Sequence, residues 1–372
     1  MIVNVTDISS DAIIVPPAPD KIWRIHLPGL VVSSKMPPLV REQIEQYRHA
    51  QGRGVVDPDG TKTFTKVNFL SWPWLNCVRV ILHEIGCSPI SNPAEQLLRR
   101  IWWIGSGVAS SFPFHAAGLY DCVKWCSENT LAWCIPSYTP TIGVLKYAKA
   151  RASTSGPLEK GKLSTFIVTM DTTPGEDPLN GVLSESIAVK KAIRSFFRDE
   201  EVTYFDKPSA QDVLSALYRA DLIHLACHGA SDRIRPLQSH LLLQKDGPDG
   251  PTLDRLTAEA VANGEAYSAL IAFLSACSTA QNQAKAFVDE GIHLTSVFQT
   301  VGFPHVIGSQ WKADDDICVE IASLFYRFLA EAIIMGCQNQ SVVKALYRAM
   351  VHLQVDYWRF PHLWAPYIHS GA

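Results

Sequence analysis

From Leu163 onward the chain alternates short apolar runs with stretches of helical spacing, and the runs are apolar on both faces. Ser268 to Ala276, for example, shows almost no polar alternation. A strand of that kind is stable only inside a sheet covered by helices on both sides, which means a largely parallel sheet with helical crossovers. Strands are expected at 164–170, 202–205, 221–227, 268–276 and 305–310, with an extra one at 241–244. Helices are expected at 183–197, 208–219, 258–263, 292–301, 316–336 and 341–355. The fold class is therefore α/β. Before about Ala152 the texture is less regular. Residues 11–15 read as a strand ended by Pro16-Pro17. Residues 39–49 read as a polar helix, and Asp57-Pro-Asp-Gly60 as a turn. Residues 69–85 are helical and stop at Gly86. Residues 101–104 and 129–135 read as buried strands, and 141–151 as a helix. The Ser/Thr/Gly/Pro/Lys stretch 152–162 reads as a linker, so the expected domains are 1–152 and 163–372.

Charge and composition exclude several classes. Lys and Arg number 33 against 36 Asp and Glu, so no basic surface is available to neutralise phosphates, and no nucleic-acid partner is expected. No run of 18 apolar residues occurs, so no membrane span is expected. Met1 to Val15 carries Asp7 and Asp11 without a leading basic cluster, which reads as neither signal nor transit peptide. The nine cysteines are odd in number and mostly lie in apolar runs, the pattern of reduced thiols in a cytoplasmic protein. No CxxC pair, GxGxxG loop or GKS/T element is present, and no cofactor or metal is expected.

The chemistry gathers at two strand ends. Asp221-Leu-Ile-His-Leu-Ala-Cys-His228-Gly229 ends one strand, and Ala269-Leu-Ile-Ala-Phe-Leu-Ser-Ala-Cys277 ends another. In an open α/β sheet ligands bind beyond the carboxyl ends of strands, so His228 and Cys277 are expected on one rim. A thiol needs a nearby imidazole to become a nucleophile at neutral pH and to protonate the leaving amine. Gly229 allows close backbone approach, and its N–H together with that of Cys277 could receive an oxyanion. His224 reads as a packed mid-strand residue. His115 is the rival imidazole and Cys227 the rival thiol; both read as structural.

His224-Leu-Ala-Cys-His-Gly229 and Leu274-Ser-Ala-Cys-Ser-Thr279 resemble the two signature blocks of the CHAT domain, a family of caspase-like peptidases often found beside TPR arrays. Val306-Ile-Gly-Ser-Gln-Trp-Lys-Ala-Asp-Asp315 is similar to the segment that follows the Cys strand, and Trp364-Ala-Pro-Tyr367 to the closing strand. Trp102-Trp-Ile-Gly-Ser-Gly107, Phe112-Pro-Phe-His-Ala-Ala-Gly118 and Ser137-Tyr-Thr-Pro-Thr141 resemble the family's N-terminal half in its fungal form. The resemblance implies a caspase-like three-layer sandwich with a mostly parallel sheet, preceded by an N-terminal companion half that is itself caspase-like. It implies a cysteine endopeptidase acting on intracellular proteins, in a cell-death or defence setting, with Cys277 as nucleophile and His228 as general base and acid. The separation of 277 − 228 = 49 residues agrees with caspases. By similarity to separases, an acidic residue in the 310–316 loop faces the P1 side chain, which implies Asp315 supported by Asp314 and a basic P1. Ser275 stands two before the nucleophile, where metacaspases carry Asp. The same carboxylates could instead begin the following helix. The implied partners are a protein or peptide substrate and a TPR-containing region or regulator outside this chain. A catalytically silent scaffold used for binding, and a thiol hydrolase of small molecules, are the alternative classes.

Overall fold

The structure is a computed structural model. It describes residues 1–6, 8–17, 19–30, 66–90, 98–120, 127–155, 164–194, 202–230, 232, 235–264, 267, 269–275, 294–311, 313–335 and 340–372. The expected helix at 39–49, the turn at 57–60, most of the 152–162 stretch and Cys277 itself lie outside these residues. By contact density the chain divides into two compact units. The first comprises Met1–Tyr138, Ala286–Gly291 and Val351–Ala365; the second comprises Thr139–Lys285, Ile292–Met350 and Pro366–Ala372. The expected boundary was the 152–162 stretch. The division instead precedes the Ile142–Thr154 helix, because that helix packs on the Leu294–Thr300 helix and on the last strand.

In the first unit β1 (Ile2–Val5), β2 (Ser10–Ile14), β3 (Trp23–His26), β4 (Arg99–Gly107) and β5 (Cys134–Tyr138) are ordered β3-β2-β1-β4-β5. β1, β4 and β5 run parallel, and β2 and β3 add an antiparallel meander. The expected strand at 129–135 begins instead as a helical turn. The Asn129 side chain accepts from Ala132 N–H at 3.2 Å and caps Thr130–Trp133 before β5 starts at Cys134.

In the second unit β6 (Thr165–Thr169), β7 (Val202–Asp206), β8 (Leu222–Ala226), β12 (Ile271–Ser275), β13 (His305–Ser309) and β14 (Tyr367–Gly371) form the order β14-β13-β12-β8-β6-β7. Only β14 is antiparallel to its neighbour. β9 (His228–Ala230), β10 (His240–Gly247) and β11 (Gly250–Thr257) make a separate antiparallel sheet, with the extra strand expected at 241–244 at its centre. All five residues of β8 and of β12 are buried, which explains their continuous apolarity. One face of these strands, with Ile223, Leu225, Ala272 and Leu274, joins a core containing Val168, Val213 and Phe298. On the other face Phe273 stands beside Phe325, Tyr326 and Tyr367, at ring centroid separations of 5.2, 5.8 and 5.4 Å. The Gly181–Arg194 and Asp315–Ile334 helices pack on each other over that face. Among the described residues no helix is long and apolar enough to cross a membrane.

Candidate active site

The carboxyl ends of the central parallel strands are level, because Thr169 pairs with Ala226 and Ala226 with Ser275. The chain runs out from β6 in one direction to β7 and from β8 in the other to β12 and β13, so a crevice opens at these ends. Beyond Ala226 the chain passes Cys227 and turns into β9, where His228 pairs with Leu242 and Gly229 with Leu241. Gly229 thus lies within a strand of the second, antiparallel sheet. His228 is half-buried, and its Nε2 lies 2.8 Å from the Asp177 carbonyl oxygen. A carbonyl only accepts, so Nε2 carries the hydrogen and Nδ1 is the basic nitrogen of the neutral ring. Cys277 follows two residues after Ser275 in the chain and lies outside the described residues.

A pocket opens at the same strand ends. One wall is the segment after β6 with Leu179, Gly181, Val182 and Glu185. The strand-end residues Cys227, Ser275 and Ser309 line the pocket too, with Ala313, Asp315, Cys318 and Tyr367. The Tyr367 hydroxyl lies 3.0 Å from Ser275 Oγ and donates to Cys318 Sγ at 3.3 Å, so Ser275 donates to it. Burial, and next the Cys318 thiol, push the Tyr367 phenol well above its ordinary range, which keeps it a neutral donor.

The acidic run is divided in its roles. The Asp314 side chain accepts from Asp316 N–H at 3.1 Å and caps the Asp315–Ile334 helix; it is exposed and does not line the pocket. Asp315 lines the pocket, but its Oδ2 accepts from Gly181 N–H at 3.3 Å, at the start of the Gly181–Arg194 helix. Gly181 is required for that approach: a Cβ there would lie 2.9 Å from Asp315 Cβ and 3.1 Å from its carbonyl oxygen. Deeper in the pocket wall, Glu185 is 2% exposed. Its Oε1 lies 3.3 Å from His224 Nε2. Neither atom has a hydrogen-bond partner, so the two are close but misaligned. His224 is fully buried, with Nδ1 3.1 Å from the Tyr326 hydroxyl and its ring stacked on Phe273.

The structure thus brings Ser275 and Asp315 to one pocket and sets His228 and Gly229 just beyond the end of β8. Cys227 is buried in the core and also borders the pocket. His115 belongs to the first unit, buried between the Tyr138 hydroxyl and the Ala365 carbonyl. The sequence reading missed Asp177, Gly181, Glu185 and Cys318. Only Tyr367 carried a signal, as part of the Trp364–Tyr367 block.

The CHAT domain family model matches residues 80–372. No curated protein sequence is significantly similar to the chain. Among solved structures, the complex of Porphyromonas gingivalis RgpB pro- and mature domains aligns over 90% of this chain and 77% of that one, at 11% identity and a TM-score of 0.50. The Arg-specific cysteine proteinase gingipain R covers 90% of this chain and 73% of that one, at 10% identity and TM-score 0.49. The Saccharomyces cerevisiae separase–securin complex aligns at 14% identity and TM-score 0.47 over 73% of this chain, which spans only 15% of the chain it matches. The likeness to RgpB is one of fold, a caspase-like α/β arrangement with a mostly parallel sheet. With 80–372 matched, the chain belongs to the CHAT domain family.

Proposed function

We propose that this chain is a cysteine endopeptidase in which Cys277 is the nucleophile and His228 the general base and acid. The observation that carries the reading is the orientation of His228. Its Nε2–H is held by the Asp177 carbonyl at 2.8 Å, which leaves Nδ1 as the proton acceptor. A backbone carbonyl here does the work of the third, orienting member of a catalytic triad. The register supports the pairing: Ala226 and Ser275 are partners on adjacent strands, and His228 and Cys277 each follow two residues later in the chain.

In this mechanism Nδ1 takes the thiol proton as sulfur attacks the scissile carbonyl carbon. The oxyanion accepts from backbone N–H groups, with Gly229 and Cys277 as the donors proposed. His228 then returns the proton to the departing amine, and the thioester remains. Water, deprotonated by the same nitrogen, releases the acid and restores the thiol. The pocket receives the P1 side chain, with Ser275 and Asp315 among its walls. A protein or peptide substrate fits the family, and a regulator or TPR-containing region outside this chain is part of the same proposal.

The test is labelling with a panel of peptidyl chloromethylketones and vinyl sulfones. Wild type should be labelled on Cys277, Cys277→Ala should not, and His228→Ala should react about 10²- to 10⁴-fold more slowly. An unlabelled but folded wild type would favour the silent scaffold.

A further inference from the structure

Two carboxylates border the pocket, and their circumstances differ. Asp315 is already engaged: its Oδ2 accepts from Gly181 N–H, and it sits at the positive end of the 14-residue Gly181–Arg194 helix. Glu185 has no such compensation at Oε1. That atom is fully shielded from solvent and accepts no hydrogen bond, although leaving a buried carboxylate oxygen unsatisfied is costly. His224 stands 3.3 Å away without the alignment to donate, held at its other nitrogen by Tyr326. Among the described lining residues no Lys or Arg is present.

Resting on the reading of this pocket as the P1 subsite, we infer that Glu185 selects the P1 residue by pairing with a guanidinium or ammonium group, while Asp315 shapes the pocket mouth by holding Gly181. A long basic side chain entering past Ser275 and Cys227 brings its cation to the Glu185 carboxylate. The pairing takes place out of water, where it discriminates strongly against neutral and acidic P1 residues. Asp314, occupied as a helix cap, contributes nothing to this choice.

The experiment has two arms. The first measures binding of acetyl-tripeptide amides ending in Arg, Lys, citrulline, Met or Asp to Cys277→Ala by fluorescence anisotropy. It needs no catalysis, so it stands even if the peptidase reading fails. Arg should bind roughly 10- to 100-fold tighter than its neutral isostere citrulline. Equal binding of the two overturns the inference with no further variant. The second arm repeats the comparison in Glu185→Gln and Asp314→Asn on the Cys277→Ala background, and in fluorogenic cleavage by the same variants with Cys277 intact. Glu185→Gln should collapse the Arg-to-citrulline ratio to near one, and Asp314→Asn should leave it unchanged. A preserved ratio in folded Glu185→Gln refutes the assignment. Absence of Cys277 labelling with a preserved Arg preference in binding refutes the peptidase reading and upholds the pocket.

Discussion

His115 is the second imidazole that the sequence offered as a catalytic base, and its surroundings make a quantitative prediction. The ring is 1% exposed. Nε2 lies 2.8 Å from the Ala365 carbonyl, which can only accept, so the hydrogen is on Nε2 and Nδ1 accepts from the Tyr138 hydroxyl at 2.8 Å. Both nitrogens of the neutral ring are satisfied, and a second proton would displace Tyr138. Burial lowers the pKa from 6.5 to about 4, against a smaller opposing effect of the Ala365 carbonyl. The folded chain therefore binds fewer protons than the unfolded chain between these values, so stability is complete above pH 6.5 and falls as pH drops toward 4. The shift corresponds to about 3 kcal/mol. Urea unfolding followed by tryptophan fluorescence at pH 7.5 to 4.5 measures it, since Trp103 stacks on the neighbouring Phe114 at 4.8 Å. His115→Gln retains a donor and an acceptor but does not titrate, so its profile should be flatter than that of wild type by about the same 3 kcal/mol. His115→Ala should cost about 3 kcal/mol at pH 7.5, from a cavity and two orphaned partners, while keeping Cys277 labelling. Parallel pH profiles for wild type and His115→Gln would refute the linkage. Loss of labelling in folded His115→Ala would refute the structural assignment.

Tyr367→Phe removes the acceptor of Ser275 and the donor to Cys318, and should lower stability by about 1–3 kcal/mol in thermal melts while leaving the fold intact. Gly181→Ala places a methyl 2.9 Å from Asp315 Cβ and should raise KM for P1-Arg peptides through a displaced pocket mouth, with kcat changed less. Cys227→Ala should retain Cys277 labelling and lose about 1–3 kcal/mol, as a buried residue of the core. Phe273→Ala, which strips the aromatic face of β12, should cost about 3–5 kcal/mol by denaturant midpoint.

β6, β8, β12 and β13 were legible in the sequence because being buried on both faces leaves an unbroken apolar run, as in Ile271–Ser275. The helix expected at 208–219 forms over Ala210–Leu217, where Ser209 caps it with Asp212 in a reciprocal box. β1, β3, β9 and β11 were not expected. β3 is mostly exposed and β11 only partly buried, so neither shows the two-sided apolar pattern, and β1 is only four residues long. His228 and Gly229 were visible through their place at the end of an apolar strand. The partner that orients His228 was not, because the Asp177 carbonyl belongs to the backbone and any residue there would present the same atom. Glu185 was hidden for a different reason. Within Gly181–Arg194 it is one polar residue among several, and periodicity alone cannot say that its face turns inward. Only the packing of that helix on Asp315–Ile334, and the level ending of β6, β8 and β12, put a buried carboxylate beside a pocket. Local spacing determines which segments become strands and helices; which side chains meet depends on contacts between residues far apart in the chain, such as Gly181 with Asp315 and Glu185 with His224.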